Sequence, residues 1–146
     1  MINVTDMTLE DLELIKDNLH EDFDDFWKYE TLKDELINPS SKYIIAKENQ
    51  NDILGFAGIW NGVYDFHITN IVVRKDLRGN NIGSILLKKL IELGKQNKME
   101  SITLEVMCTN IPAIKLYEKF GFKNVGIRKE YYKGMYDAYI MTLDLI

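Results

Sequence analysis

Seven residues between an apolar stretch and an apolar helical repeat have the types that bind an anion. The segment "RGNNIGS" occupies positions 78–84, after "HITNIVV" and at the start of "SILLKKLIELGKQ". Amide groups in the first turn of a helix have no partner inside the helix, and the helix dipole makes that end positive. Gly79 and Gly83 lack the Cβ atoms that would block a ligand, either asparagine tolerates left-handed backbone, and Arg78 adds a positive charge. The junction predicts an anion site, with an ordinary capped turn as the alternative.

Two further residues have side chains that can move protons. Glu105 lies in the middle of the strand-like segment "TLEVM". A carboxylate inside a covered sheet is unfavourable unless it is hydrated or paired, and removal from water would suit a general base. A solvated glutamate on an edge strand is the alternative. Tyr117 has helical spacing from its apolar neighbours, which is typical of a core aromatic, but its phenol can also donate a proton.

Other polar residues have simpler interpretations. Cys108 has no histidine near it in sequence, so a buried inert thiol is favoured over a nucleophile. His67 on a strand is interpreted as a hydrogen-bonding partner rather than a base. The Lys88-Lys89 pair either reaches a phosphate or forms a solvated helix face, and Tyr131-Tyr132 either line a site or pack on the sheet. One cysteine and two histidines are too few for a structural zinc site.

Length and composition limit the classes of protein. The chain has 146 residues and 46% hydrophobic residues, which suits one folded domain. No apolar run has the length of a membrane helix, and the acidic N-terminus lacks a signal-peptide pattern, so the sequence predicts a cytoplasmic protein. Residues 1–40 contain twelve acidic and three basic residues, a net charge of −9, whereas residues 41–146 have a net charge of +4. The overall charge of −5 argues against nucleic-acid binding, and the acidic front half suits a cationic partner.

The apolar periodicity predicts one domain of mixed α/β class over residues 1–146, with its middle sheet covered on both faces. The predicted order is strand, two helices, three strands, helix, strand, helix and two strands. The predicted helices are Thr8–His20, a second within Asp22–Asn38, Ile82–Asn97, and one that begins after Thr109-Asn110 and ends at Gly121. The predicted strands are residues 1–5, 42–48, 52–60, Tyr64–Val73, Ser101–Cys108 and an antiparallel pair around Lys133-Gly134.

Local signals support these boundaries. Thr8 and Asp11 form a capping-box pattern, and Asn61-Gly62 is a hairpin-turn pattern. Asn110 is a candidate N-cap, followed by Pro112, which a first helical turn tolerates. The predicted buried positions of three helices are, in order, Leu9, Leu12 and Ile15; Ile82, Ile85, Leu86, Leu90 and Leu93; and Ile114, Tyr117 and Phe120.

Four segments together resemble the GCN5-related N-acetyltransferases (GNATs), and within them the RimI-type N-terminal alanine acetyltransferases. They are "NIVVRKDLRGNNIGSILL", "LEVMCTNIPAIKLYEKFGF", "GIRKEYY" and "DAYIMTLDL", with a weaker similarity in "DFWKYETLKDEL". The family loop has the pattern Q/R-x-x-G-x-G/A, and Asn81 stands where its middle glycine is expected. Asparagine is the best replacement for glycine at positive φ, so we expect a working loop with some loss of affinity.

The resemblance implies acetyl-CoA as the cosubstrate and direct transfer of the acetyl group to an amine. Glu105 is the implied general base, acting through a water molecule, and Tyr117 is the implied general acid for the departing thiolate. The backbone of Ile71–Val73 is implied to face the thioester, and the loop to cradle the pyrophosphate. The implied acetyl-CoA contacts are Ile71, Val72, Val73, Arg78, Gly79, Asn80, Asn81, Ile82, Gly83, Ser84 and Asn110.

The resemblance also implies an acceptor, the N-terminal alanine of a ribosomal protein. The same fold serves many amine acceptors, so a small amine or a lysine side chain remains an alternative. A second alternative is a CoA-binding sensor without catalysis. We expect no nucleic-acid partner, no membrane association and no metal, and a monomer or weak dimer.

Overall fold

The computed structural model describes residues 1–23, 27–132 and 136–146 of the chain, and within them a single sheet of seven strands has helices on both faces. The element order confirms the predicted one. The Lys133-Gly134 turn lies outside the described residues, as do the side chains of Tyr131 and Tyr132. The strands are β1 (Asn3–Asp6), β2 (Ser41–Asn49), β3 (Asp52–Asn61), β4 (Asp65–Val73), β5 (Ser101–Met107), β6 (Lys123–Tyr132) and β7 (Tyr136–Asp144), and the α-helices are α1 (Leu9–Ile15), α2 (Tyr29–Ile37), α3 (Ile82–Gln96) and α4 (Ile111–Lys119).

The sheet divides between β4 and β5. The strand order is β1-β2-β3-β4-β5-β7-β6, and the β4–β5 pair is parallel whereas the other pairs are antiparallel. The β4–β5 ladder ends at the pair Ile68–Leu104, although β4 continues to Val73 and β5 to Met107. The two strands therefore separate, and the edges that face each other beyond this pair are available to a third component. We call this opening the strand split.

A β-bulge in β4 lies at the start of the strand split. Gly58 of β3 pairs with Asn70, and the next residue of β3, Ile59, pairs with Ile68, so Thr69 is the extra residue. A bulge reverses the alternation of side chains along a strand. Ile68 before the bulge and Ile71 after it accordingly belong to the same hydrophobic cluster, three residues apart.

Two hydrophobic clusters lie on the two faces of the sheet. The first cluster joins α3, through residues such as Leu86, and α4 to the face of the sheet that contains Ile102 and Leu104. The second joins α1, α2 and the segment between them to β2, β3 and β4, and includes Leu12 and Phe56. Among the described residues, the second cluster has no member from β5, β6 or β7. We call the face of the sheet that packs against α1 and α2 the second face. On this face the two helices do not cover β5.

The first predicted helix is shorter than expected. The α-helical bonding of α1 ends at Ile15, and a 3₁₀ turn (Lys16–Asn18) and a π-helical turn (Leu19–Phe23) follow, so one helix over Thr8–His20 was wrong. Its capping box is confirmed, but Leu9 is 42% exposed rather than buried. Tertiary bonds replace helical ones at the end of this segment, because Lys75 Nζ donates to the His20 carbonyl at 3.2 Å.

Two other local predictions needed correction. The loop after β3 has three residues instead of a two-residue turn, and the Gly62 N–H donates to the Asp65 carbonyl at 2.8 Å. Gly62 is required there because a Cβ would clash with Asp65, not because its φ is positive. In α3, Leu87 is fully buried and was missed, whereas Ile85 and Leu93 are only partly buried. A globular helix buries a stripe wider than a two-position seam, which explains the extra leucine.

Gly58→Ala is expected to destabilise the fold by about 2 kcal/mol, within the range for overpacked cores. A Cβ on Gly58 would lie less than 3.0 Å from three ring carbons of Tyr43, whose side chain is buried. Urea unfolding measures the loss. The double variant Gly58→Ala, Tyr43→Leu should lose less free energy of unfolding than the sum of the losses in the two single variants. The reason is that leucine does not extend over position 58. Additive losses would show that the Tyr43 ring is not the obstacle.

Candidate active site

A cleft of about 700 Å³ opens on the first-cluster face beside the strand split. The end of β4, the following loop, and the N-terminal turns of α3 and α4 form its walls. Because parallel strands place the N-termini of their following helices at the same edge of the sheet, α3 and α4 both start here. The lining residues are Ile71, Val72, Val73, Leu77, Arg78, Gly79, Ile82, Gly83, Asn110, Pro112, Ala113, Leu116 and Tyr117.

The loop that enters α3 is anchored at its first residue. Arg74 donates from Nη1 to Asp52 Oδ1 at 2.8 Å and from Nε to Asp76 Oδ1 at 2.7 Å. Hydrogen bonds to Asp76 and Asp52 hold the pKa of Arg74 above its usual value. Gly79 then has a φ of +88° and Asn81 a φ of +67°. The prediction that one asparagine adopts the left-handed region is confirmed for Asn81.

The N-terminus of α3 differs from those of α1 and α4. Thr8 and Asp11 cap α1, and the Asn110 side chain accepts a hydrogen bond from the Ala113 N–H at 3.3 Å in α4. Asn81, the N-cap residue of α3, makes no side-chain capping bond. The first-turn amides of α3 therefore have neither a helical partner nor a side-chain cap, and they lie at the wall of the cleft. This geometry suits an anion.

Arg78 does not point freely into the cleft. Its Nη2 donates to the Phe23 carbonyl at 3.0 Å and its Nε to the Val73 carbonyl at 3.4 Å. Arg78 thus links the loop to the segment that follows α1, on the opposite side of the sheet from α3. The positive charge of Arg78 beside the cleft agrees with the sequence interpretation. The hydrogen bond to Phe23 was not foreseen, because it joins residues 55 apart in the sequence.

Tyr117 lies on the cleft side of α4. Its side chain is 9% exposed, and its ring lies 5.7 Å from that of Phe122, centroid to centroid, at an angle of 58°. This tilted contact positions the ring in a hydrophobic setting. Tyr117 is therefore both a core aromatic and a wall of the cleft, which confirms the core interpretation; the role of its phenol as a proton donor stays a prediction.

Glu105 lies on the second face, at the first position of β5 beyond the last pair with β4. Its side chain is 13% exposed on a strand between β4 and β7, so the edge-strand alternative was wrong. Arg128 Nη1 donates to Glu105 Oε2 at 3.0 Å, and His67 Nε2 lies 3.9 Å from Oε1. The His67 ring stacks on Trp60 with 5.9 Å between centroids. The carboxylate is thus paired, which makes its burial acceptable.

The structure gathers most of the predicted residues at the cleft and leaves four outside its lining. The four are Asn80, Asn81, Ser84 and Glu105. Val72 reaches the cleft through its backbone, because its side chain belongs to the second cluster. Arg128 was missed as a partner of Glu105, since no sequence pattern predicts a contact between β5 and the outer strand β6. The sequence analysis also missed four residues that line the cleft, which are Leu77, Pro112, Ala113 and Leu116. Their proximity in sequence to predicted site residues was the signal that could have identified them.

No helix in the described part of the chain combines the length and the apolar character needed to cross a membrane.

Asn81→Gly is expected to keep the stability of the loop and to raise its affinity for an anion slightly, because glycine adopts a φ of +67° without strain. Asn81→Ala should instead lose about 1 kcal/mol, the steric penalty of an ordinary residue in this region. Calorimetric titration with acetyl-CoA and urea unfolding measure both effects. Equal behaviour of the alanine and glycine variants would show that the backbone at position 81 does not control the loop.

A family model and two relatives that match this chain all describe acetyltransferases. The model of the "Acetyltransferase (GNAT) family" matches residues 7–122. The chain is 35% identical over 144 residues to a Bacillus subtilis protein provisionally described as a [ribosomal protein bS18]-alanine N-acetyltransferase, covering 97% of this chain and 95% of the relative. It is 38% identical over 108 residues to the enzyme of that name from Haemophilus influenzae, covering 73% and 70%.

A solved structure shares the fold. The ribosomal-protein-S18-alanine N-acetyltransferase from Escherichia coli superposes with a TM-score of 0.88 at 26% identity, covering 99% of this chain and 94% of the other.

Proposed function

This chain belongs to the GNAT acetyltransferase family, and on that premise we propose that it acetylates the α-amine of an N-terminal alanine on a ribosomal protein. The family transfers acetyl groups from acetyl-CoA to amines, and the chain is an N-acetyltransferase of this kind. The acceptor comes from the relatives, two of which are described as acting on the alanine of ribosomal protein bS18 or S18.

One observation carries the proposal: the uncapped N-terminus of α3 opens onto a cleft at the strand split. The first-turn amides, the positive end of the helix dipole and the left-handed residues Gly79 and Asn81 suit a pyrophosphate group. The apolar walls of the cleft, which include Leu116 and Ala113, suit the arm of acetyl-CoA that connects the pyrophosphate to the thioester. Bound acetyl-CoA supplies the activated acetyl group.

Two proton transfers complete the proposed reaction. Glu105 accepts the proton that the acceptor amine loses, directly or through a water molecule, and Tyr117 donates a proton to the departing sulfur. The positions support this division, because Glu105 of β5 lies on the second face and Tyr117 of α4 lies on the first, and the strand split opens between β4 and β5. The acceptor and the thioester can therefore approach from opposite sides of the sheet. Backbone groups of Ile71–Val73 lie where they can bind the developing oxyanion.

The charge of the chain supports a cationic acceptor. Residues 1–40 have a net charge of −9 and include α1 and α2, which flank the second face. The electric field of these acidic residues would raise the association rate of a basic peptide and orient it toward the site. A lysine side chain or a small amine is also a cation, so charge does not separate these acceptors.

Mass spectrometry of a peptide pool tests the acceptor. The pool contains peptides that begin with Ala, Ser, Met or Gly, each with one internal lysine, incubated with the protein and acetyl-CoA. We expect a mass gain on the Ala peptide, with fragmentation placing the acetyl group on its α-amine. A gain on lysine alone would keep the enzyme class and move the acceptor. No gain on any peptide, with acetyl-CoA bound in calorimetry, would point to a small amine or to a non-catalytic CoA sensor.

A further inference from the structure

An amide side chain beside the strand split has no partner in the described part of the chain. Neither Nδ2 nor Oδ1 of Asn70 makes a hydrogen bond there, and both atoms are shielded from solvent. Buried polar atoms in folded proteins are nearly always paired, because an unpaired one raises the free energy of the folded state. An amide without a partner among the described residues is available to hydrogen-bond a ligand.

The surroundings of Asn70 show how the amide is left unpaired. Tyr43, Gly58 and Asn70 lie in one row across β2, β3 and β4. The Tyr43 ring crosses over Gly58, and its hydroxyl lies 3.4 Å from Thr69 Oγ1. Burial raises the pKa of Tyr43 to about 12, and side-chain contacts with Thr69 and Asn70 of hydrogen-bonding type oppose that rise. Tyr43 is therefore a neutral phenol close to the amide, but its approach to Asn70 does not have the distance and angle of a hydrogen bond to either amide atom.

The position of Asn70 relates it to the proposed reaction. Asn70 lies two residues beyond the last β4 residue paired with β5, and Glu105 lies one residue beyond the last β5 residue paired with β4. Both side chains belong to the second face, since Asn70 shares the row of Tyr43, and Glu105 alternates with the first-cluster residues Leu104 and Val106. Asn70 and Glu105 therefore flank the strand split from its two sides, on the face that an acceptor would approach.

We propose that Asn70 recognises the α-aminoacyl end of the acceptor. Oδ1 accepts a hydrogen bond from the α-amine, and Nδ2 donates one to the carbonyl oxygen of the acceptor's first residue. An α-aminoacyl group carries a donor and an acceptor close together, and a carboxamide presents the complementary pair. The side chain reaches the acceptor by a change between staggered rotamers. This inference rests on the proposed function.

The proposal makes Asn70 a specificity-determining residue. A lysine ε-amine has no carbonyl group near its nitrogen, so it can satisfy Oδ1 but leaves Nδ2 unpaired. A site that leaves a buried polar group unpaired discriminates against that substrate. Asn70 should therefore favour α-amines over lysine side chains.

The test is Asn70→Leu, which replaces the amide by an apolar group of similar size. Because the amide is unpaired among the described residues, the melting temperature should rise by about 3 °C rather than fall. The value of kcat/KM for an Ala-started peptide without lysine should fall by about 10- to 100-fold, as for a lost hydrogen bond in a dry site. The rate on an N-acetylated peptide with one lysine should change much less, and the Kd for acetyl-CoA should stay the same.

Two further variants control the interpretation. Asn70→Ala adds no atoms, so it should lose α-amine activity to the same extent even if leucine overpacks the site. Asn97→Leu removes an amide that does have a partner, since its Nδ2 donates to the Leu93 carbonyl at 2.7 Å at the far end of α3. That variant should lower the melting temperature and leave the activity unchanged.

The outcomes separate this inference from the proposed function. A wild-type protein that acetylates lysine but no α-amine would contradict the proposed acceptor, whatever the variants do. Given α-amine activity in the wild type, unchanged activity of Asn70→Leu and Asn70→Ala would overturn the role of Asn70. A fall in melting temperature with both variants would also overturn it, because the amide would then be a structural group with a partner in the chain.

Discussion

Glu105→Gln lowers kcat by about 10²- to 10⁴-fold, the effect expected when a positioned general base is removed. Glutamine has the size of glutamate, so the substitution preserves the packing of a side chain that is 13% exposed. It removes the negative charge that Arg128 and His67 face and the lone pair that would accept a proton. Steady-state rates with the best peptide of the pool, at saturating acetyl-CoA, measure the loss.

A matched variant shows that the loss is local to the strand split. Glu118→Gln removes the same charge from an exposed position on α4, and its rate should stay within about twofold of wild type, since exposed charges contribute little. Acetyl-CoA affinity should be unchanged in both variants, because Glu105 is on the opposite face from the cleft. Wild-type turnover in Glu105→Gln would remove the base assignment.

Tyr117→Phe lowers kcat by about 10²-fold, at the lower end of the range for acid catalysis. The smaller effect follows from the leaving group, since a thiol has a reference pKa near 8.5 and leaves as a thiolate more easily than an alkoxide does. Phenylalanine retains the ring, so the contact with Phe122 and the wall of the cleft remain. The Kd for acetyl-CoA in calorimetry should therefore change much less than the rate.

Tyr139→Phe is the control for this variant. Tyr139 also packs at the edge of the first cluster but does not line the cleft, so loss of its hydroxyl should leave turnover unchanged. Equal effects of the two substitutions would mean that Tyr117 acts through general packing. A large fall in acetyl-CoA affinity in Tyr117→Phe would instead assign it to binding.

Periodicity predicted the element order because each pattern depends on neighbouring residues. Tyr64–Val73 and Ile82–Asn97 were each predicted to within one residue of β4 and α3. The left-handed Asn81 was also foreseen, since its conformation follows from the local sequence. The segment after α1 was not, because Lys75 and Arg78 from elsewhere in the chain bind its carbonyl groups.

The sequence by itself determined the mixed α/β class and predicted an anion site in the loop and the candidate pair Glu105 and Tyr117, because these follow from residue types at short spacing and from a family resemblance. Only the tertiary structure decided where these residues lie relative to one another. It placed Glu105 and Tyr117 on opposite faces of a divided sheet, paired Glu105 with Arg128, and left the Asn70 amide without a hydrogen bond among the described residues. These features depend on strand register and on contacts between residues far apart in the chain, which local patterns do not encode.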